Sequence, residues 1–389
     1  MLAPLTNAPL GFAWGSTTLI AGLEGREPTG RPEAEVWFGD HPGSPAVIDD
    51  GSGRTLATWR AEDAEDSPER LPYLLKLLAA ASPLSIQVHP DRAQARAGFA
   101  AEEAEGVALD APHRNYKDDN HKPEIIVAIS DRFDAYAGLR PVAGTRRLLE
   151  ALGDGRGSAA LRAVLTGDDA LAGAVAWALT EATADIVAHV ESEVRAADSV
   201  EFAAELSALR RLSDAYPGDP GILVALLMNH VSLVRGEALY VPAGMLHAYL
   251  SGLGVELMAA SDNVLRAGLT GKHIDVAELL RIVDARPTPP PLLAPTVTAD
   301  GVEVFAPDIP DFQLARVILS PGETVALEVN GPVICLGVAG AVTVTGAHES
   351  EELQPGRAVF GTAAESRLEL AGAGEVFVAS PGGSWASRR

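Results

Sequence analysis

Cysteine is almost missing from this chain: Cys335 is the only one in 389 residues. That excludes an internal disulfide and any zinc cluster built on thiolates. Aromatic residues are scarce as well, at 5%. Basic residues are outnumbered, 30 Lys and Arg against 53 Asp and Glu, for a formal net charge of −23. Such a balance disfavours nucleic acid and anionic membrane as partners, since both attract basic surface. An anionic substrate would therefore need particular Lys and Arg residues to reverse the field locally. No apolar run reaches the ~20 residues that span a bilayer. The opening MLAPLTNAPLGFAWG has neither the basic start nor the apolar core of a signal peptide. A cytoplasmic protein without membrane partners is expected.

Turn-forming residues, by contrast, are plentiful: 38 Gly and 27 Pro. They suit many short strands, and the length allows two or three domains. Residues 1–60 are punctuated by turn residues around short apolar pieces such as Glu35 to Gly39. The run PYLLKLLAA, Pro72 to Ala80, reads as a buried strand, and Asp91–Glu105 as a helix. Between 142 and 232 the texture turns alanine- and leucine-rich with helical spacing, ending in a further helix over Ile222–Val231. This is read as an all-helical insertion between two β pieces. A helix over Ile274–Val283 follows, with Asp275 and Glu278 as a capping pair. Residues 285–295, ARPTPPPLLAP, form a semi-rigid linker. The division expected is 1–141 with 233–284 as one barrel, 142–232 helical, and 296–389 as a second barrel. The class is mainly β.

The chemistry concentrates in three segments. In Pro83-Leu84-Ser85-Ile86-Gln87-Val88-His89-Pro90, strand alternation puts Ser85, Gln87 and His89 on one face and Ile86 and Val88 on the other. Glu124 stands at the mouth of an apolar strand in Asn120-His121-Lys122-Pro123-Glu124, where a carboxylate is costly unless paired or metal-bound. In Gly236 to His247 a strand ends at Pro242, a turn reverses the chain, and the next strand presents His247. Most histidines are surface or satisfied core residues, and His189, His230 and His348 are read that way. Gln87, His89, Glu124 and His247 together make a set of two imidazoles and two oxygen donors. Such a set suits one Zn²⁺ per chain with a position left open. Gly356 to Arg367 overlays Gly236 to His247 without a gap, but Arg367 stands where the histidine would be. The C-terminal barrel is accordingly read as structural and metal-free.

Residues 236–247 follow the second motif of the cupin superfamily, Gly-x5-Pro-x-Gly-x2-His. The set PLSIQVHPD, NHKPE, VPAGMLHAYLSG and SDNVLRAGLTGKHIDV, with Trp14-Gly15-Ser16 and EVWFGDHP upstream, resembles the class I (type I) mannose-6-phosphate isomerases. The resemblance implies two cupin-type jelly-roll barrels with a helical insertion. It also implies a zinc-dependent exchange of mannose 6-phosphate and fructose 6-phosphate. Carried over residue by residue, it makes Gln87, His89, Glu124 and His247 the zinc ligands and Arg266 the essential arginine. Ser85 and Lys272 match phosphate-binding positions, and Tyr249, His121, Lys122, Glu256 and Asp262 match other pocket positions. An aldose–ketose exchange needs a base and a stabiliser for an enediolate oxyanion. Lys122 and Glu256 stand level as the base, while His121 or Asp262 would open the sugar ring. Ser251 replaces the Asn that the cupin motif carries four residues after its histidine, at a position that is no ligand. Two other classes stay open: a metal dioxygenase, against which Gln87 argues, and a sugar-binding module without catalysis. A monomer acting on a phosphorylated hexose is expected.

Overall fold

The computed structural model describes residues 1–63 and 70–383, so the final six residues of the expected second barrel lie outside the described part. It is strand-rich: two nine-stranded sheets, in which every strand pairing is antiparallel, with a block of helices from Val142 to Leu227 between their segments. No single helix among the described residues is long and apolar enough to cross a membrane.

The first sheet turns on one strand, His247–Ala259, which pairs with Tyr73–Ala80, Gln87–Val88, Glu124–Ala128 and Arg132–Leu139. It reaches all four by changing neighbours at a bulge between Tyr249 and Ser251. A bulge bends a strand and sharpens its twist, which is how one strand serves both walls of a barrel. Gly252, just past the bulge, is required: its φ is 119°, and a Cβ there would lie 2.8 Å from the Arg132 carbonyl oxygen. Tyr73–Ala80 is buried along its whole length, as its apolar run predicts.

The helical block is formed by Val142–Ala151, Arg156–Val164, Ala170–Thr180, Ala184–Ala196, Ala203–Ala215 and Gly221–Leu227. It shares one apolar core with Ile86, Val88, Ala248, Leu265 and Ala267. These are the reverse faces of the strands that carry Gln87, His247 and Arg266. The insertion therefore backs the wall on which the site is built. The expected helix over Ile222–Val231 stops at Leu227; Met228–Val234 is a strand on Arg132–Leu139. The apolar run over residues 222–228 fits either form, and pairing with the sheet decides where the helix ends.

The second sheet runs from Thr296–Val297 to Arg367–Ser380, but it also takes in Leu2–Thr6 and Val47–Ile48. The N-terminal strand, expected in the first barrel, hydrogen-bonds instead to Ala358–Gly361. The expected repeat has a structural counterpart: in both segments a four-residue strand, a turn and a long strand begin at the same offsets. Gly236 and Gly356 open them with φ of 89° and 82°, left-handed values that favour glycine. Arg367 is exposed, 3.9 Å from Glu328. The proline-rich linker is not a free spacer, because Thr288, Pro291 and Leu293 hydrogen-bond to Leu139, Tyr240 and Ala238. Asp275 caps the helix Val276–Ile282 through Glu278 N. The Glu278 carboxylate turns to Arg281 and Tyr116, so the return half of the capping pair is not made.

Candidate metal centre and cavity

Three of the four expected ligands meet in the interior. One ligand atom each of His89, Glu124 and His247 lies within 4.8 Å of the others, and the side chains are 0–2% exposed. His89 Nδ1 donates to the Lys122 carbonyl at 2.7 Å and His247 Nδ1 to the Met245 carbonyl at 3.2 Å. Those bonds fix the tautomer and turn both Nε2 lone pairs inward, as outer partners do at metal-bound imidazoles. Neither buried Nε2 has a hydrogen-bond partner. His247 Nε2 stands 3.1 Å from Glu124 Oε1, but without hydrogen-bond geometry. Burial, reinforced by the Lys122 charge, holds His89 well below the usual imidazole range, so the ring is neutral and able to ligate. Two unpartnered imidazole nitrogens buried in one cluster with a carboxylate would be satisfied by a shared cation, and the donor set fits zinc.

Gln87 joins this group through the sheet. Its backbone is paired with His247 on one side and Arg266 on the other, and cross-strand neighbours bring side chains within ~5 Å. Ser85 and Gln87 both line the adjoining cavity, of about 490 Å³, while Ile86 and Val88 are buried on the other face. The strand alternation read from the sequence holds.

Around the cavity the remaining expected residues divide. Arg266 lines it with no carboxylate within 4 Å among the described residues; Asp262, four residues earlier, pairs with His41 instead. Burial pushes its guanidinium below the ordinary arginine range. Lys272 is exposed at the rim, pushed down by partial burial and by the Arg266 charge. Lys122 Nζ faces Glu124 Oε2 at 3.8 Å. Asp262 accepts from His41 Nε2 at 3.0 Å. His41 Nδ1 accepts from Gly43 N, which leaves Nε2 as the donor. Burial opposes ionisation of Asp262, yet the His41 bond and the charges of Lys122 and Lys76 hold it below the ordinary carboxylate value.

One expected residue carries a further contact and one lies elsewhere. Tyr249 lines the cavity, as expected, and also gives its hydroxyl to Glu124 Oε1 at 2.8 Å, orienting the carboxylate. His121 does not line the cavity; its Nε2 meets Asp311 Oδ2 at 2.9 Å, and Arg92 holds the other oxygen of that carboxylate at 2.8 Å. The chain before Glu124 turns this imidazole toward the second barrel.

Sequence reasoning missed Lys76, Glu35 and Trp37. Trp37, Lys76 and Glu256 are directly opposite one another across three strands. Lys76 Nζ lies 2.9 Å from Glu256 and 3.8 Å from Glu35, over the Trp37 ring at 4.9 Å. Burial weakens the Lys76 charge, but Glu256 and Glu35 outweigh it and raise the ammonium above its ordinary value. Burial, with the charges of Glu124 and Glu35, pushes Glu256 up despite Lys76. The signal was available: one lysine in the apolar run YLLKLLAA has to be paired to be buried.

A family model for the type I phosphomannose isomerase catalytic domain matches residues 2–142. Mannose-6-phosphate isomerase of Salmonella typhimurium is 34% identical over 384 residues, 96% of this chain and 97% of that protein. The protein of that name from Rattus norvegicus is 33% identical over 356 residues, 80% of this chain and 79% of its own length. A crystal structure of phosphomannose isomerase from Salmonella typhimurium superposes with a TM-score of 0.88 at 31% identity, covering 98% of this chain and 99% of that one. A mannose 6-phosphate isomerase solved in its holo, zinc-bound form gives the same TM-score of 0.88 and the same coverage.

Proposed function

Because this chain belongs to the type I mannose-6-phosphate isomerases, we propose that the residues around its cavity carry that family's reaction in the roles given below. The protein interconverts mannose 6-phosphate and fructose 6-phosphate at a zinc site. The observation that carries the assignment is the pair of buried, unpartnered Nε2 atoms of His89 and His247 in one cluster with Glu124. Gln87, His89, Glu124 and His247 would hold the zinc, which when bound supplies Lewis-acid stabilisation of the developing oxyanion.

The chain's own groups account for the rest. Ser85, Arg266 and Lys272 hold the phosphate, because two cations without acidic partners stand at one end of the cavity. Glu256 is the proton carrier between C2 and C1, since burial raises its proton affinity toward the working pH. Lys76 keeps that carboxylate in place, and Lys122 donates to the sugar oxygen next to the reacting carbon. Asp262, held by His41, accepts the ring hydroxyl proton on opening. The ring-opening role does not pass to His121, which Asp311 engages. The catalytic unit is assigned to 1–141 with 233–284, less the N-terminal strand that joins the second sheet. A net charge of −23 supports a monomer through self-repulsion.

The test is metal analysis and an isomerase assay on the purified chain. His247→Ala and Glu124→Ala should each lose zinc and turnover while the circular dichroism spectrum persists. Full turnover by either variant without metal would refute the reading.

A further inference from the structure

The helical insertion reaches the site through a residue that no motif marks. Asp219, two residues ahead of the helix Gly221–Leu227, receives Gly221 N at 2.7 Å and Leu269 N at 2.9 Å on Oδ1. Its other oxygen receives Thr270 N at 3.2 Å. Leu269 is the one residue other than glycine with positive φ, 55°, among the described residues. A leucine holds that left-handed conformation only where its surroundings impose it. Here its side chain is 1% exposed, packed in the helical core, while its amide is bound by a carboxylate. Just before it, Gly268 has φ of 122°, and a Cβ there would fall 2.4 Å from Gly221 Cα. Insertion and loop thus meet backbone to backbone. Thr270, Gly271 and Lys272 then line the cavity, with Lys272 N bonded to Thr270 Oγ1 at 3.1 Å. Three residues before Asp219, Tyr216 also lines the cavity and donates its hydroxyl to the Pro83 carbonyl at 2.8 Å, on the segment leading to Ser85.

We propose that Asp219 is a positioning residue for substrate binding: it locks the strained 268–272 loop so that Lys272 faces the phosphate of the sugar. The inference rests on the phosphate assignment made above and extends it to a segment of the chain outside both barrels. Asp219 touches no substrate; it acts through two loop amides, and removing it frees a conformation that leucine does not favour.

A double-mutant cycle with Lys272→Ala tests this, read by calorimetric titration with inorganic phosphate and by steady-state kinetics on mannose 6-phosphate. Asp219→Ala should raise the phosphate Kd and the KM by about tenfold, the scale of a lost hydrogen bond to a charged group. It should leave kcat within about threefold and zinc content unchanged, because the interaction lost serves binding at the end of the substrate remote from the reacting carbons. Asp219→Asn, which keeps one acceptor oxygen, should lie between. In the Lys272→Ala background the further loss should shrink to about twofold, since residues acting as one unit are not additive. Equal KM losses in both backgrounds, or a fall in kcat alone, would overturn the role of Asp219 while leaving the phosphate assignment standing. A Lys272→Ala variant with unaltered phosphate binding would overturn the phosphate assignment, and this inference with it. Should neither Asp219 variant fold, amide exchange in the unmutated protein decides: Leu269 and Thr270 must be protected, and rapid exchange at both would refute the lock.

Discussion

Tyr249→Phe separates two roles that differ by one atom. Tyr249 lines the cavity, and its hydroxyl is bound to Glu124 Oε1 at 2.8 Å in a setting where the residue is 1% exposed. Phenylalanine keeps the ring and its packing against Phe133, whose centroid is 5.5 Å away, so no cavity is opened. What is lost is one hydrogen bond to a charged acceptor, about 1.5–3 kcal/mol. That matches the ~10–100-fold loss of metal affinity usual for an outer partner of a ligand. Competition with a chromophoric chelator should therefore show zinc held ~10–100-fold more weakly. With zinc in excess, KM for mannose 6-phosphate should stay within about twofold of the unmutated protein. A raised KM with unchanged zinc affinity would refute the reasoning and return Tyr249 to the substrate.

Two further variants address the two ends of the substrate. Lys272→Ala should lower kcat/KM for mannose 6-phosphate by about tenfold, mainly through KM, with scarcely any change on unphosphorylated mannose. A charged hydrogen bond allows ~10–200-fold, but Lys272 is exposed and water screens it, which sets the low end; equal losses on both sugars would contradict it. Glu256 must be ionised to accept a proton, and burial raises its pKa. The rate should therefore fall as pH drops through a value above the ~4.3 of a free glutamate. Glu256→Gln should remove most of kcat and leave zinc bound; an unchanged acid limb in that variant would exclude Glu256 as the base.

How far the sequence carried can be followed through particular residues. Gln87, His89 and His247 were legible because a strand alternates and a proline-bounded turn is local, and both signals survive folding. The helical block was legible from its alanine and leucine spacing up to Leu227. The strand Met228–Val234 was not, since only its pairing with Arg132–Leu139 separates it from the helix before it. His121 was placed in the pocket by the family resemblance of the NHKPE segment. Its partner, Asp311, stands 190 residues further on, and no local rule points that way. The same holds for Tyr249 with Glu124 and for Leu2–Thr6 with Ala358–Gly361: both depend on contacts that no window of sequence contains. Lys76 is the opposite case, a signal present in the sequence and passed over, because a charge inside an apolar run had already declared that it would be paired.

The charge of the cavity explains how so acidic a protein holds a dianion. Among the described residues it is lined by four carboxylates, Glu35, Glu124, Glu256 and Asp262, and four cations, Lys76, Lys122, Arg266 and Lys272. These cancel formally, although the whole chain carries −23. A bound divalent cation then leaves the cavity at plus two, the complement of a phosphate dianion. The charges are also sorted along its length. Lys76 is spent on Glu256 and Glu35, and Lys122 faces Glu124, whereas Arg266 and Lys272 have no acidic neighbour and press on one another. Two like charges left together raise each other's energy until an anion arrives, so the binding free energy of the phosphate includes relief of that repulsion. On the phosphate assignment proposed above, the sugar would be drawn in by one end and delivered with its other end toward the metal ligands. This is the use of remote binding to align reacting atoms, and it requires the unpaired cations to stand away from the carboxylates that serve the chemistry.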